Sequence, residues 1–147
     1  MKSDRNDEVL SEQLLFFLKK IDNDFYPSLS SKVNLHDYVE KIIDKAELIL
    51  DFDDDKIKGM VVLYCNDYVN RKAYIPLVGV CPEYRNRGVA KKLMSDAIQI
   101  VKDRDFILIG IHSNNPVAIL LYESLGFVVV RQGKRSYMEM SINKMKK

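Results

Sequence analysis

Apolar residues recur at Val9, Leu10, Leu14, Phe17, Leu18 and Ile21. That three- and four-residue spacing gives a helix one buried face, so it predicts a helix over 8–20. Residues 22–32 break the pattern with Asp22-Asn23-Asp24, Pro27 and a run of serines, which predicts a loop. Asn34 suits the N-cap of a second helix from Leu35 to about Ala46, with Tyr38, Val39, Ile42 and Ile43 inward. The period then shortens. Residues 47–52 and 56–66 read as two strands of a hairpin around Asp53-Asp54-Asp55. The run Met60-Val61-Val62-Leu63-Tyr64 is apolar on both faces, which places its strand inside a sheet.

After a polar loop at 67–72, residues 74–80 form another strand pattern. A short turn, Cys81-Pro82-Glu83-Tyr84, leads into a helix from about Gly88 to Arg104, with Leu93, Met94, Ala97, Ile98 and Val101 on its inner face. Residues 106–112 are almost wholly apolar, the look of a buried parallel strand. Ser113-Asn114-Asn115-Pro116 opens a further helix with proline in the first turn, and Gly126 suits its C-cap. Residues 127–131 and 137–142 read as two last strands, joined at Gln132-Gly133-Lys134. The ends, a polar stretch at 1–7 and a basic tail, read as frayed and solvated. The fold class is α+β: a mostly antiparallel sheet in which the strands at 74–80 and 106–112 run parallel, joined by the helix between them.

Composition narrows the class. The 147 residues, 47% hydrophobic and 30% charged, suit a single globular domain over 1–147. A net charge of +2 is too small to argue for nucleic acid or an anionic membrane, and neither is expected as a partner. No apolar run reaches spanning length and no secretory leader opens the chain. With two cysteines and no framework, Cys65 and Cys81 read as reduced thiols of a cytoplasmic protein, Cys65 in the core. No metal site is expected.

The chemistry concentrates at 74–90. A strand, a glycine-containing loop and a helix N-terminus make an anion site, because the first-turn N–H groups point one way and the helix dipole favours negative charge. Gly88 removes a side chain where a phosphate would approach, and Arg85 and Arg87 add charge. The inferred cargo is a pyrophosphate. Taken alone, the hexapeptide fits an ordinary helix start equally well. No G-x-x-x-x-G-K-[ST] loop is present.

Two stretches together resemble the GNAT superfamily, the GCN5-related N-acetyltransferases. One is Arg85-x-x-Gly88-x-Ala90 preceded by Val80-x-Pro82. The other is Asn115-x-x-Ala118-x-x-Leu121-Tyr122-x-x-x-Gly126-Phe127. The resemblance is specific over 73–127 and weaker over the first 50 residues. Residues 25–31 also look like a stretch of bacterial members associated with surface polysaccharide clusters. The resemblance implies a mixed sheet of six or seven strands flanked by four helices. It implies that the strands at 74–80 and 106–112 splay, with acetyl-CoA in the notch. The family's usual first strand has no clear counterpart ahead of the first helix; it is either missing or squeezed into the N-terminus.

The resemblance also implies roles. Backbone N–H groups of Arg85, Asn86, Arg87, Gly88, Val89 and Ala90 would hold the pyrophosphate. The backbone of Val78, Gly79 and Val80 would pair with the pantetheine arm and aim an N–H at the thioester carbonyl. Tyr122 would be the general acid that reprotonates the leaving thiolate. Asn115 would either bond the pantetheine arm or simply cap its helix, with Asn114 an alternative. Many members carry a glutamate twelve residues before the tyrosine; here that position is Gly110, which leaves room for substrate. No carboxylate lies in 74–80 or 106–112. His112 shares the Gly110 face and titrates near neutrality, so it is either a base or a strand-end histidine bonded to a loop backbone.

Walls for the acceptor are expected from residues 25–31, from the loop after Asn66, and from the last hairpin with Arg135 and Tyr137. Tyr26, Ser28 and Ser30 offer hydroxyls and an aromatic face that suit a sugar better than a polycation. A polyamine would want acidic walls, and the one dense acidic run, Asp51 to Asp55, is explained by a hairpin turn. The expectation is direct acetyl transfer from acetyl-CoA to a primary amine of a small molecule, an amino sugar among the candidates. The alternatives are a protein N-terminal or lysine acetyltransferase, and a non-catalytic acyl-CoA-binding sensor. Monomer or homodimer, and the length of the acyl donor, are left open.

Overall fold

The computed structural model describes residues 5–142. Helix α1 spans Arg5–Ile21 and α2 spans Leu35–Lys45, with the Asn34 side chain accepting from the Asp37 N–H as the cap the sequence implied. Two short 3-10 turns, Asp22–Asp24 and Leu29–Ser31, lie between them. Strands β1 (Glu47–Asp53), β2 (Lys56–Asp67) and β3 (Lys72–Val80) follow as an antiparallel meander. Then come α3 (Val89–Asp103), β4 (Leu108–Ser113), α4 (Pro116–Leu125), β5 (Val128–Arg131) and β6 (Ser136–Ser141). Among the described residues, six strands make one sheet in the order β1-β2-β3-β4-β6-β5, with four α-helices against it. The expected α+β architecture is therefore present. No strand precedes α1 among the described residues; the remainder of the N-terminal stretch and the basic tail lie outside them.

The sheet separates two cores. On one face α3 and α4 pack against alternate positions of β2, β3 and β4, with Leu93, Met94, Ala97 and Val101 meeting Val61, Leu63, Ile109 and Ile111. Each large apolar side chain buried there stabilises the fold by about 1.5–3 kcal/mol. On the other face Leu14, Phe17, Leu18 and Ile21 of α1 and Val39 and Ile42 of α2 cover Met60, Val62 and Leu77. Met60, Val61, Val62 and Leu63 are all fully buried, which is the two-sided burial that the unbroken apolar run of β2 called for.

One irregularity makes the functional geometry. Ile75 packs with the α3 cluster and Leu77 with the α1/α2 cluster, although residues two apart in a regular strand share a face. The pairing of β3 with β2 shifts between Tyr64↔Tyr74 and Val62↔Leu77. An extra residue in β3 at this bulge turns the strand over. Pro76 sits there and offers no N–H to a neighbour. The parallel pairing of β3 with β4 runs from Lys72↔Leu108 to Ile75↔Ile111 and ends there. Beyond that point β3 is held by β2 alone and β4 by β6 alone. The two strands part, and a notch opens in mid-sheet.

Candidate active site

The notch continues into a cavity of about 710 Å³. Its walls are the free edge of β3 from Ile75 to Val80, the start of α3, the β4–α4 junction, Tyr122, and the loop between α1 and α2. Val78, Gly79 and Val80 all line it. Their backbone groups on the β4 side have lost their strand partner. A side chain on Gly79 would run into Ile21 Cδ1, so glycine there seats α1 close against the strand.

Below that edge, Arg85, Asn86, Gly88, Val89 and Ala90 face the cavity. Gly88 takes the left-handed conformation, φ 79°, and a Cβ built on it would meet nothing within 4 Å. The turn explains the glycine, and the space above it is open. The Lys92 N–H is the first to bond back into α3, to the Gly88 carbonyl at 3.0 Å. The N–H groups of Val89, Ala90 and Lys91 thus stand in the first turn without a helical partner. The two arginines are engaged elsewhere. Arg85 donates from Nε to the Val80 carbonyl at 3.0 Å and its guanidinium pairs with Asp24. Arg87 lies over the Tyr84 ring and outside the cavity lining. The anion capacity of the loop rests on backbone N–H groups.

The α1–α2 loop is strapped across the notch at two points. Asp24 holds Arg85 on the α3 side, and the Asn114 amide donates to the Tyr26 carbonyl at 2.9 Å on the α4 side. Tyr26 is 85% exposed and borders the cavity. Ser28 and Ser30 do not reach it: the Ser28 carbonyl anchors Ser31, and the Ser30 hydroxyl donates to Asp22. These serines shape the loop. The turn after Asn66 does not close over the notch either, since it joins β2 to β3 at the opposite end of the sheet.

On the α4 side, Asn115 caps the helix, accepting from the Val117 and Ala118 N–H groups at 2.9 and 3.3 Å. Its Nδ2 remains as a donor at the cavity wall. Tyr122 is 5% exposed, packs near Phe127, and its hydroxyl bonds no other described residue. Burial pushes its phenol up to about 12.

The opposite face of the sheet carries the polar groups. His112 stands opposite the bulge, one residue past the last β3–β4 pair. Its Nδ1 lies 2.6 Å from the Tyr74 hydroxyl, and its ring leans on Tyr137 at 4.8 Å. The imidazole is paired with a phenol, not with a loop backbone. Burial lowers its pKa below the ordinary value, and the guanidiniums of Arg135 and Arg131 lower it further. Gly110 does not make room for substrate. A Cβ there would sit 2.5 Å from the Tyr137 hydroxyl, so the vacancy is filled by that phenol. Tyr137 in turn donates to Glu139 at 3.0 Å, and Glu139 is the register partner of Gly110. The carboxylate absent from β4 is thus present beside it, on β6. Single-strand reading missed Glu139 because its register is set by pairing. Tyr137 and Glu139 lie behind His112, while His112 and Arg135 reach the cavity.

No group of three or more possible metal ligands occurs among the described residues. No described helix is long and apolar enough to cross a membrane.

Comparison with known proteins points the same way. The profile of the acetyltransferase (GNAT) family matches residues 15–127. The chain is 30% identical to N-alpha-acetyltransferase 30 of Schizosaccharomyces pombe over 58% of its own length and 60% of that protein's. It is 29% identical to spermidine N(1)-acetyltransferase of Vibrio cholerae over 62% of its length and 55% of that protein's. The matches thus span little more than half of these relatives. Among solved structures, the PaiA N-acetyltransferase of Thermoplasma acidophilum in complex with coenzyme A superposes with a TM-score of 0.70, at 20% identity over 93% of both chains.

Proposed function

The chain belongs to the acetyltransferase (GNAT) family, and from that premise we propose an N-acetyltransferase that moves an acetyl group from acetyl-CoA directly to a primary amine of a small molecule. The observation that carries the reading is the break of β3–β4 pairing at Ile75 and Ile111. It joins, in one cavity, an anion-binding helix start, an unpaired strand edge, a buried phenol and a neutral imidazole.

The bound donor supplies an activated acetyl group and a thiol leaving group. The first-turn N–H groups of α3 hold its pyrophosphate. The free edge of β3 around Val78 to Val80 pairs with its amide-bearing arm and presents an N–H to the carbonyl oxygen. The amide of Asn115 steadies the same arm from the other wall. In the tautomer whose Nδ1–H donates to the Tyr74 hydroxyl, His112 has Nε2 free to take a proton from the acceptor ammonium. Tyr122 gives its proton to the departing sulfur, and a phenol held near 12 is fully protonated for that task at neutral pH. Two protons leave the nitrogen in all; one replaces the proton that Tyr122 gives to the sulfur, and the other goes to solvent through His112. Acid and base approach from opposite faces of the sheet, with the notch between them. The 30% identity to an N-alpha-acetyltransferase supports a second reading, in which the amine is a peptide N-terminus.

The test is thiol release from acetyl-CoA with separate pools of amino sugars and their phosphates or nucleotides, amino acids, polyamines and short peptides. Release with one pool, lowered about 10²-fold in Tyr122→Phe with acetyl-CoA binding kept, is the expected result. Bound acetyl-CoA and no release from any pool would leave an acyl-CoA-binding module.

A further inference from the structure

The cavity is lined by five residues with charged side chains: Asp24, Lys32, Arg85, Lys91 and Arg135. Asp24 is neutralised by Arg85. Arg85 and Lys91 belong to the pyrophosphate end, in the loop before α3 and its first turn. Lys32 and Arg135 remain on the walls of the acceptor side, and no carboxylate among the described residues forms an ion pair with either.

Arg135 is the better placed. Its Nη2 lies 3.5 Å from the His112 carbonyl oxygen, and its guanidinium stands beside the Tyr74 hydroxyl. The charged and titratable groups around His112 are Tyr74 from β3, Arg131 from β5, Arg135 from the turn before β6, and Tyr137 with Glu139 from β6. Glu139 is the one carboxylate in that set. It accepts from Tyr137 and is not part of the cavity wall. The acidic run near Asp53 to Asp55 borders a separate cleft of about 240 Å³.

This lining sets a requirement on the acceptor. An amine arrives at neutral pH as a cation, and the wall nearest the imidazole is also cationic. A plain polyamine meets repulsion there and no counter-charge. An amine that carries its own acid group meets a guanidinium fork matched to a phosphate or carboxylate. Building on the transferase reading above, we infer that the acceptor is a primary amine bearing a phosphate or carboxylate, and that Arg135 binds that acid group while His112 faces the amine.

The experiment uses the full chain, acetyl-CoA and matched acceptors: glucosamine 6-phosphate against glucosamine, β-alanine against β-alaninamide, and spermidine as polycation. The acid-bearing member of at least one pair is favoured by about tenfold in kcat/KM, and spermidine is the poorest acceptor. The pair that shows the preference identifies the acid. Arg135→Gln brings that preference to within about twofold by raising KM for the acid-bearing member more than for its neutral partner; Arg135→Lys keeps part of it. An unchanged thermal midpoint and acetyl-CoA affinity check that the variant is folded. Equal or better turnover of neutral amines or spermidine, or a preference that survives in Arg135→Gln, overturns the inference and leaves the transferase reading standing. Release from no acceptor overturns both.

Discussion

Gly110→Ala is the substitution that tests the site's packing most directly. Ala can adopt strand angles without strain, and Gly110 needs no unusual backbone angle. The added Cβ, however, would sit 2.5 Å from the Tyr137 hydroxyl and 3.0 and 3.1 Å from two of its ring carbons. Ordinary carbon contacts lie at about 3.5–4.0 Å, so the ring must move by roughly 1 Å. It is wedged between His112 and the Arg131 guanidinium, each 4.8 Å from its centre, and tied to Glu139. Overpacking of this kind costs about 1–3 kcal/mol, and loss of the half-exposed Tyr137–Glu139 bond adds about 1 kcal/mol at most. Replacing glycine narrows the unfolded ensemble and returns about 0.4–1 kcal/mol. The net expectation is destabilisation by about 1–2 kcal/mol. In urea unfolding followed by circular dichroism, that lowers the midpoint by roughly 1 M. In a Tyr137→Ala background the clash is gone, and Gly110→Ala should stabilise by the unfolded-state contribution alone. A midpoint unchanged by Gly110→Ala, or the same fall in both backgrounds, would refute the argument that Tyr137 occupies the space.

His112 also gives a pH signature. Its folded pKa lies below the free value of about 6.5, so between the two the unfolded chain binds more protons than the folded one. Stability should fall as pH drops through that window and level off below it, and His112→Gln should remove the slope in pH-dependent urea titrations. In the transferase assay kcat/KM should rise with pH through the same lowered pKa, and that rising limb should vanish in His112→Gln. Asn115→Ala removes the α4 cap and should cost about 1 kcal/mol in stability, whereas Asn115→Asp keeps the cap; weaker acetyl-CoA binding by calorimetry in Asn115→Asp, at unchanged midpoint, would mark the Nδ2 donor as a ligand contact.

How much of this was legible in the chain follows from the range of each signal. Amphipathic spacing, the Asn34 and Asn115 caps, Gly88 and Gly126 are local: a residue and its neighbours within one turn of helix decide them, and the strands fell within one or two residues of their hydrophobic runs. The glycine turn and helix start at residues 85–90 were legible for the same reason, since consecutive residues form them. The parallel pair joined by α3 was legible because a right-handed crossover leaves few other arrangements.

The chemistry of the site was decided elsewhere. Tyr74 meets His112 across 38 residues of chain, Arg85 meets Asp24 across 61, and Asn114 meets Tyr26 across 88. Gly110 read as space for a substrate because its strand was read alone. Pairing with β6 brings Tyr137 into that space and Glu139 beside it. The bulge at Pro76 is the clearest case. That β3 is a strand ahead of a glycine-containing turn and a helix start could be read along the chain. That an extra residue turns β3 over there, ends its pairing with β4 and opens the notch emerges with the folded sheet, because cross-strand register follows from the packing of two opposed cores and not from the residues of one strand.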